Sequence, residues 1–93
     1  MLTREIIITN SLGLHARASA KWVNTASQFV ADVVLEKAGQ AVNGKSIMGV
    51  MMLAAGCGSR LQLQVDGPDE QQALQALITL VEGRFGEDGA PAG

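Results

Sequence analysis

The spacing of hydrophobic and polar residues changes several times along the chain, and each change predicts a new element. Arg4 to Thr9 contains Ile6-Ile7-Ile8, a β-branched run too short for a helix and closed by Asn10-Ser11, so the first strand is expected there. From Ala16 the spacing becomes helical, with Arg17, Lys21, Asn24 and Gln28 on one face and Ala16, Ala20, Val23 and Ser27 on another. Small residues on the inward side would let this helix approach a sheet closely. Trp22 is expected at the edge of that contact, serving packing rather than recognition.

Ala31 to Glu36 alternates well enough for a half-buried strand, Lys37-Ala38-Gly39-Gln40 supplies a turn, and Ala41-Val42-Asn43 reads as the returning strand of a hairpin. Ser46 precedes the apolar run Ile47 to Leu53, which predicts a short helix capped by the Ser46 hydroxyl and ended by Gly56-Cys57-Gly58. Arg60 to Asp66 then alternates without a break, with Gln62 and Gln64 on a wet face. For the last helix, Pro68 suits the first turn and Asp69 and Glu70 complement its dipole. Leu74, Leu77, Ile78, Val81 and Phe85 form its apolar stripe.

The element order is therefore βαββαβα. Four short strands with one wet face, and three helices to cover the other, predict an α+β open-faced sandwich. The hairpin favours antiparallel pairing for its own strands, and periodicity leaves the remaining pairings open. The pattern assigns residues 1–86 to one domain and residues 87–93 to a disordered C-terminal tail with nothing to bury.

Composition narrows the function. A chain of 93 residues supports one core, and its 3% aromatic content makes that core aliphatic. Seven Lys and Arg against nine Asp and Glu leave a net charge of −2, which supplies no general attraction for nucleic acid or an anionic membrane. Cys57 is the only cysteine, so no intramolecular disulfide can form. No secretory leader is recognisable, and the longest apolar run, Ile47 to Ala55, falls short of the roughly 20 residues that span a bilayer. A soluble, cytoplasmic protein without membrane insertion is expected. Ligands are not clustered as a metal site requires, and with a single histidine no serine or cysteine triad can be assembled.

That single histidine, His15, stands where the strand pattern gives way to the helical one. Neutral imidazole has an unprotonated ring nitrogen that can attack phosphorus, and a helix N-terminus offers free N–H groups and partial positive charge to the product anion. The Arg17 guanidinium could contact the same oxygens. A solvated loop histidine beside an ordinary surface arginine has the same local sequence, and spacing alone does not separate the two readings.

Two motifs do. Gly13-Leu14-His15-Ala16-Arg17 and Asn43-Gly44-Lys45-Ser46-Ile47-Met48-Gly49-Val50-Met51 resemble the two signatures of the HPr family, the histidine-containing phosphocarriers of the bacterial phosphotransferase system. The resemblance spans about Arg4 to Phe85 and implies a four-stranded antiparallel sheet covered on one face by three helices. It implies a phosphoryl-carrier protein, not itself an enzyme. His15 would accept a phosphoryl group through Nδ1 from phosphorylated enzyme I and pass it to enzyme IIA domains, for sugar uptake or regulation, with Arg17 stabilising the phosphate. No metal or organic cofactor is implied, and a monomer is expected.

The resemblance also implies that Ser46 can be phosphorylated by a dedicated serine kinase, with Ile47, Met48 and Met51 in the docking surface. Each has a plainer reading, Ser46 as a helix cap and the apolar residues as core. A chain this small has limited interior, so part of the short helix should be exposed. Methionine's flexibility suits differently shaped partners. One position departs from the family pattern: Ala18 stands where proline is usual, which removes a restraint on the first helical turn. The alternatives are a ligand-binding regulatory module, or a serine-regulated relative without carrier chemistry, and His15 argues against the latter.

Overall fold

The computed structural model describes residues 1–87. In chain order the elements are β1 (Leu2–Ile7), α1 (Ala16–Ala26), β2 (Asp32–Lys37), β3 (Gln40–Asn43), α2 (Ile47–Met52), β4 (Arg60–Asp66) and α3 (Glu70–Glu82). The predicted order holds, and β4 has the bounds its alternation predicts. β1 begins and ends two residues earlier than expected. Ile8 leaves the ladder, yet it stays buried and exchanges backbone hydrogen bonds with Ser59 and Gly58.

The pairings that periodicity left open are β1-β4-β2-β3, all antiparallel. β4 is thus a central strand although it comes last. Its alternation is clean because both neighbours fix its register: Leu63 lies opposite Arg4 on one side and Leu35 on the other. Leu61, Leu63 and Val65 join Ile6, Val33 and Leu35 in the core, while Gln62 faces solvent and Gln64 is half-buried. The β2–β3 turn places Ala38 (φ 51°) and Gly39 (φ 86°) in the left-handed region, as a tight hairpin connection requires.

On α1 the inward face is Ala18, Ser19, Trp22 and Ala26, not the stripe of Ala16, Ala20, Val23 and Ser27. Trp22 is wholly buried rather than at the edge of the contact. Burying one indole removes more apolar surface from water than burying any of the competing small side chains, so the helix turns to place it inward. The Ser19 hydroxyl, buried beside it, donates to Leu14 O at 3.0 Å.

α3 starts one residue beyond Asp69, with Pro68 ahead of the cap rather than in the first turn. Asp69 occupies the N-cap position, but its side chain makes no capping bond. Its carboxylate accepts from Val30 N and Ala31 N, both at 2.9 Å, and so ties the start of β2 to the start of α3. Phe85 falls beyond α3 but is buried in the same core.

α1 and α2 pack against each other in opposite directions. Lys45, before α2, donates to Phe29 O beyond the C-terminal end of α1 at 2.8 Å, whereas Ala55, after α2, accepts from Leu14 N before the start of α1. The Ser46 hydroxyl accepts from Gly49 N at 3.1 Å, which makes it the predicted N-cap of α2 and contributes about 1 kcal/mol. Val50 is the buried residue of α2, while Ile47, Met48, Met51 and Met52 are exposed.

Candidate functional site

The loop between β1 and α1 is held by its backbone. Gly13 has φ +67°, and a Cβ there would lie 2.4 Å from Ala55 O and 2.6 Å from Gly56 Cα. Neither backbone atom can move aside easily, so glycine is required for the loop to lie against the segment after α2. Leu14 N donates to Ala55 O at 2.8 Å across the same contact. The loop therefore delivers the next residue, His15, to a fixed place.

His15 is the N-cap of α1, with extended backbone (φ −73°, ψ −177°). Its ring bridges two groups. Nδ1 accepts from Arg17 N at 3.2 Å, and Nε2 lies 2.8 Å from Glu87 Oε2. A nitrogen that accepts from an N–H must carry a lone pair, so the geometry assigns the imidazole proton to Nε2, which donates it to the carboxylate. Nδ1 is left unprotonated at the mouth of the helix. The side chain is 29% exposed.

Glu87 is the residue that periodicity missed. Its position placed it at the head of the tail, but its other oxygen, Oε1, accepts from the buried Asn10 Nδ2 at 3.0 Å, and its side chain is only 13% exposed. Burial pushes this carboxyl upward, but the hydrogen bonds from Asn10 and His15, with the positive charge of the neighbouring side chains, outweigh it and hold it below the usual value of 4.5. The ionised contact therefore favours the folded state above pH 4.5 and fades as the pH falls through the lowered value. The contact joins residues 72 apart with no motif between them. Only the presence of a carboxylate soon after the last apolar residue hinted at it. The rest of the expected tail, residues 88–93, lies outside the described residues.

Arg17 is exposed on the first turn of α1 and, with Leu12, His15, Ala16, Lys21, Gly86 and Glu87, lines an open depression of about 610 Å³. Ser46 is not part of this group. Because α1 and α2 run in opposite directions, Ser46 lies near the far end of α1, on the order of 16 Å away by the helical rise. Ile47 and Met48 lie toward that end, and Met51 and Met52 toward His15. Cys57 is exposed, its Sγ 3.8 Å from Thr9 O, on the segment that supports Gly13. Among the described residues no group of three His, Cys, Asp or Glu is placed to hold a metal ion, and no helix is long and apolar enough to cross a membrane.

Fold and site together define a small open-faced α+β sandwich that presents a helix-capping histidine beside an arginine. The family model for the PTS HPr component phosphorylation site matches residues 2–83. The phosphocarrier protein HPr of Cupriavidus necator is 58% identical over 87 residues, covering 94% of this chain and 98% of its own. That of Neisseria meningitidis is 55% identical with the same coverage. Among solved structures, HPr from Thermoanaerobacter tengcongensis superposes with a TM-score of 0.92 at 44% identity, covering 95% of this chain and 99% of that one. HPr from Bacillus anthracis gives 0.83 at 41% identity, covering 86% and 95%. The chain belongs to the HPr family of phosphocarrier proteins of the phosphotransferase system.

Proposed function

We propose that this chain is a monomeric, cytoplasmic carrier that takes a phosphoryl group onto His15 Nδ1 from phosphorylated enzyme I and passes it to enzyme IIA domains. One observation carries the reading: Nδ1 is the unprotonated ring nitrogen, and it sits against the free N–H groups that open α1. As Nδ1 bonds to phosphorus, Arg17 N loses its 3.2 Å acceptor and can donate to a phosphoryl oxygen instead. The first donor of the helical ladder is Ser19 N, bonded to His15 O, so the N–H groups of Ala16 and Ala18 also precede the ladder. The Arg17 guanidinium adds charge-assisted bonds, each contributing about 1.5–3 kcal/mol.

The test is a reconstituted assay with enzyme I, labelled phosphoenolpyruvate and a panel of enzyme IIA domains. One acid-labile phosphate per chain, transferable to at least one enzyme IIA, is the expected result. No label on the chain under conditions that load another carrier would overturn the assignment.

Ser46 is proposed as a regulatory phosphorylation site for a serine kinase. It lies beside Ile47 and Met48 but far from Nδ1, so a phosphate there would act on docking, through roughly −1.5 to −2 charge beside exposed apolar side chains. Ser46→Asp separates this from the cap, since aspartate caps a helix as well as serine does. The variant should keep its thermal midpoint and lose affinity for enzyme I. A parental KM for enzyme I transfer would remove the basis for inhibition.

A further inference from the structure

The segment after α3 is built to bring one side chain to His15. Arg84 and Phe85 both have φ 54°, and Gly86 follows at φ 73°. Two successive non-glycine residues in the left-handed region persist only where their surroundings hold them. Here the Phe85 ring is buried in the core and its carbonyl accepts from Lys21 Nζ at 2.6 Å. Two residues past Phe85, Glu87 divides its carboxylate between Asn10 Nδ2 (3.0 Å) and His15 Nε2 (2.8 Å). Asn10 is itself fixed, wholly buried and donating also to Gly13 O at 2.8 Å. The loop before α1 and the turn after α3 thus meet at one carboxylate.

Resting on the carrier reading above, we propose that Glu87 is a positioning residue for phosphoryl transfer, holding the proton on His15 Nε2 so that Nδ1 presents its lone pair to phosphorus. In the transfer, the Nδ1 lone pair forms the new N–P bond while the bond from phosphorus to the donor atom breaks and its electron pair returns to the donor. The Nε2 proton stays in place, so the ring gains positive charge as the bond forms. That charge develops 2.8 Å from the Glu87 carboxylate, which stabilises it. In the onward step the same events run in reverse, and the neutral ring with its Nε2 proton is restored. Glu87 touches neither phosphorus nor the donor and acts through the imidazole.

The experiment compares the parent protein with Glu87→Ala and Glu87→Gln. The parent should show a slowly exchanging His15 Nε2–H resonance by nitrogen-edited NMR at neutral pH. Glu87→Ala should lose that resonance, and its rate of labelling by phosphorylated enzyme I should fall about tenfold or more in kcat with KM unchanged. Glu87→Gln retains an acceptor oxygen without the charge, so it should recover the resonance but not the parental kcat. A parental kcat in Glu87→Ala, or a loss confined to KM, overturns the role while leaving the carrier reading intact. An unlabelled parent overturns both.

Discussion

Replacing His15 with asparagine should abolish phosphoryl acceptance while leaving the fold almost unchanged. The two effects are separable because His15 has two tasks. Its Nδ1 accepts from Arg17 N as the cap of α1, and the same nitrogen is the proposed nucleophile. Asparagine is among the best N-cap residues and offers a carbonyl oxygen to the same N–H, but its amide cannot form a phosphoramidate under these conditions. Alanine removes both functions. The expected results are no acid-labile label on either variant, a thermal midpoint for His15→Asn lowered only by loss of the Glu87 contact, and for His15→Ala a further loss of about 1 kcal/mol. In a domain of this size that corresponds to roughly 4–8 °C. Acid-labile label on His15→Asn would place the acceptor elsewhere, and a midpoint as low as that of the alanine variant would show that capping is not the second task.

The parts of the fold that were legible are those in which one local rule governs. The uninterrupted alternation of Arg60 to Asp66 belongs to a central strand with both neighbours in register, so burial on one face is complete and the pattern has no exceptions. Ser46 was legible because a cap is a contact over three residues. The buried face of α1 is not legible in this way, because alanine and serine are compatible with either side of a helix. The side is decided by the one residue with most surface to hide, Trp22. Glu87 was illegible for a different reason: its partners are Asn10 and His15, and the backbone that brings them together passes through left-handed residues that carry no glycine signal at Arg84 or Phe85.

Ala18, the departure from the family pattern, becomes intelligible in the structure. It is buried, and it occupies the third position of α1, ahead of Ser19, whose N–H is the first to bond within the helix. A proline there would break no ladder bond, and alanine leaves the chain one more N–H at the mouth of the helix. What alanine gives up is the fixed φ of proline. The first turn of α1 must then be held by other contacts: the Leu14–Ala55 and Ser19–Leu14 bonds at its start and the packing of its inward face.

That packing sets the largest stability effect expected. Trp22 lies seven residues after His15 on the stripe that includes Ala18, Ser19 and Ala26, and it is the largest fully buried side chain in a chain with three aromatic residues. Trp22→Ala should cost about 3–5 kcal/mol, since its small neighbours cannot collapse into the space. Domains have only about 5–15 kcal/mol of stability to lose, so the urea midpoint should fall by about a fifth or more. Trp22→Phe is the informative companion. The indole Nε1 has no hydrogen-bond partner among the described residues, so phenylalanine gives up volume but also removes a buried donor whose desolvation works against folding. Its cost should be well under half that of alanine, and its labelling by phosphorylated enzyme I should match the parent, because the anchor of α1 is kept. Equal losses for the two variants would mean that the indole N–H has a partner in solution and that α1 is held by a polar contact instead of by packing.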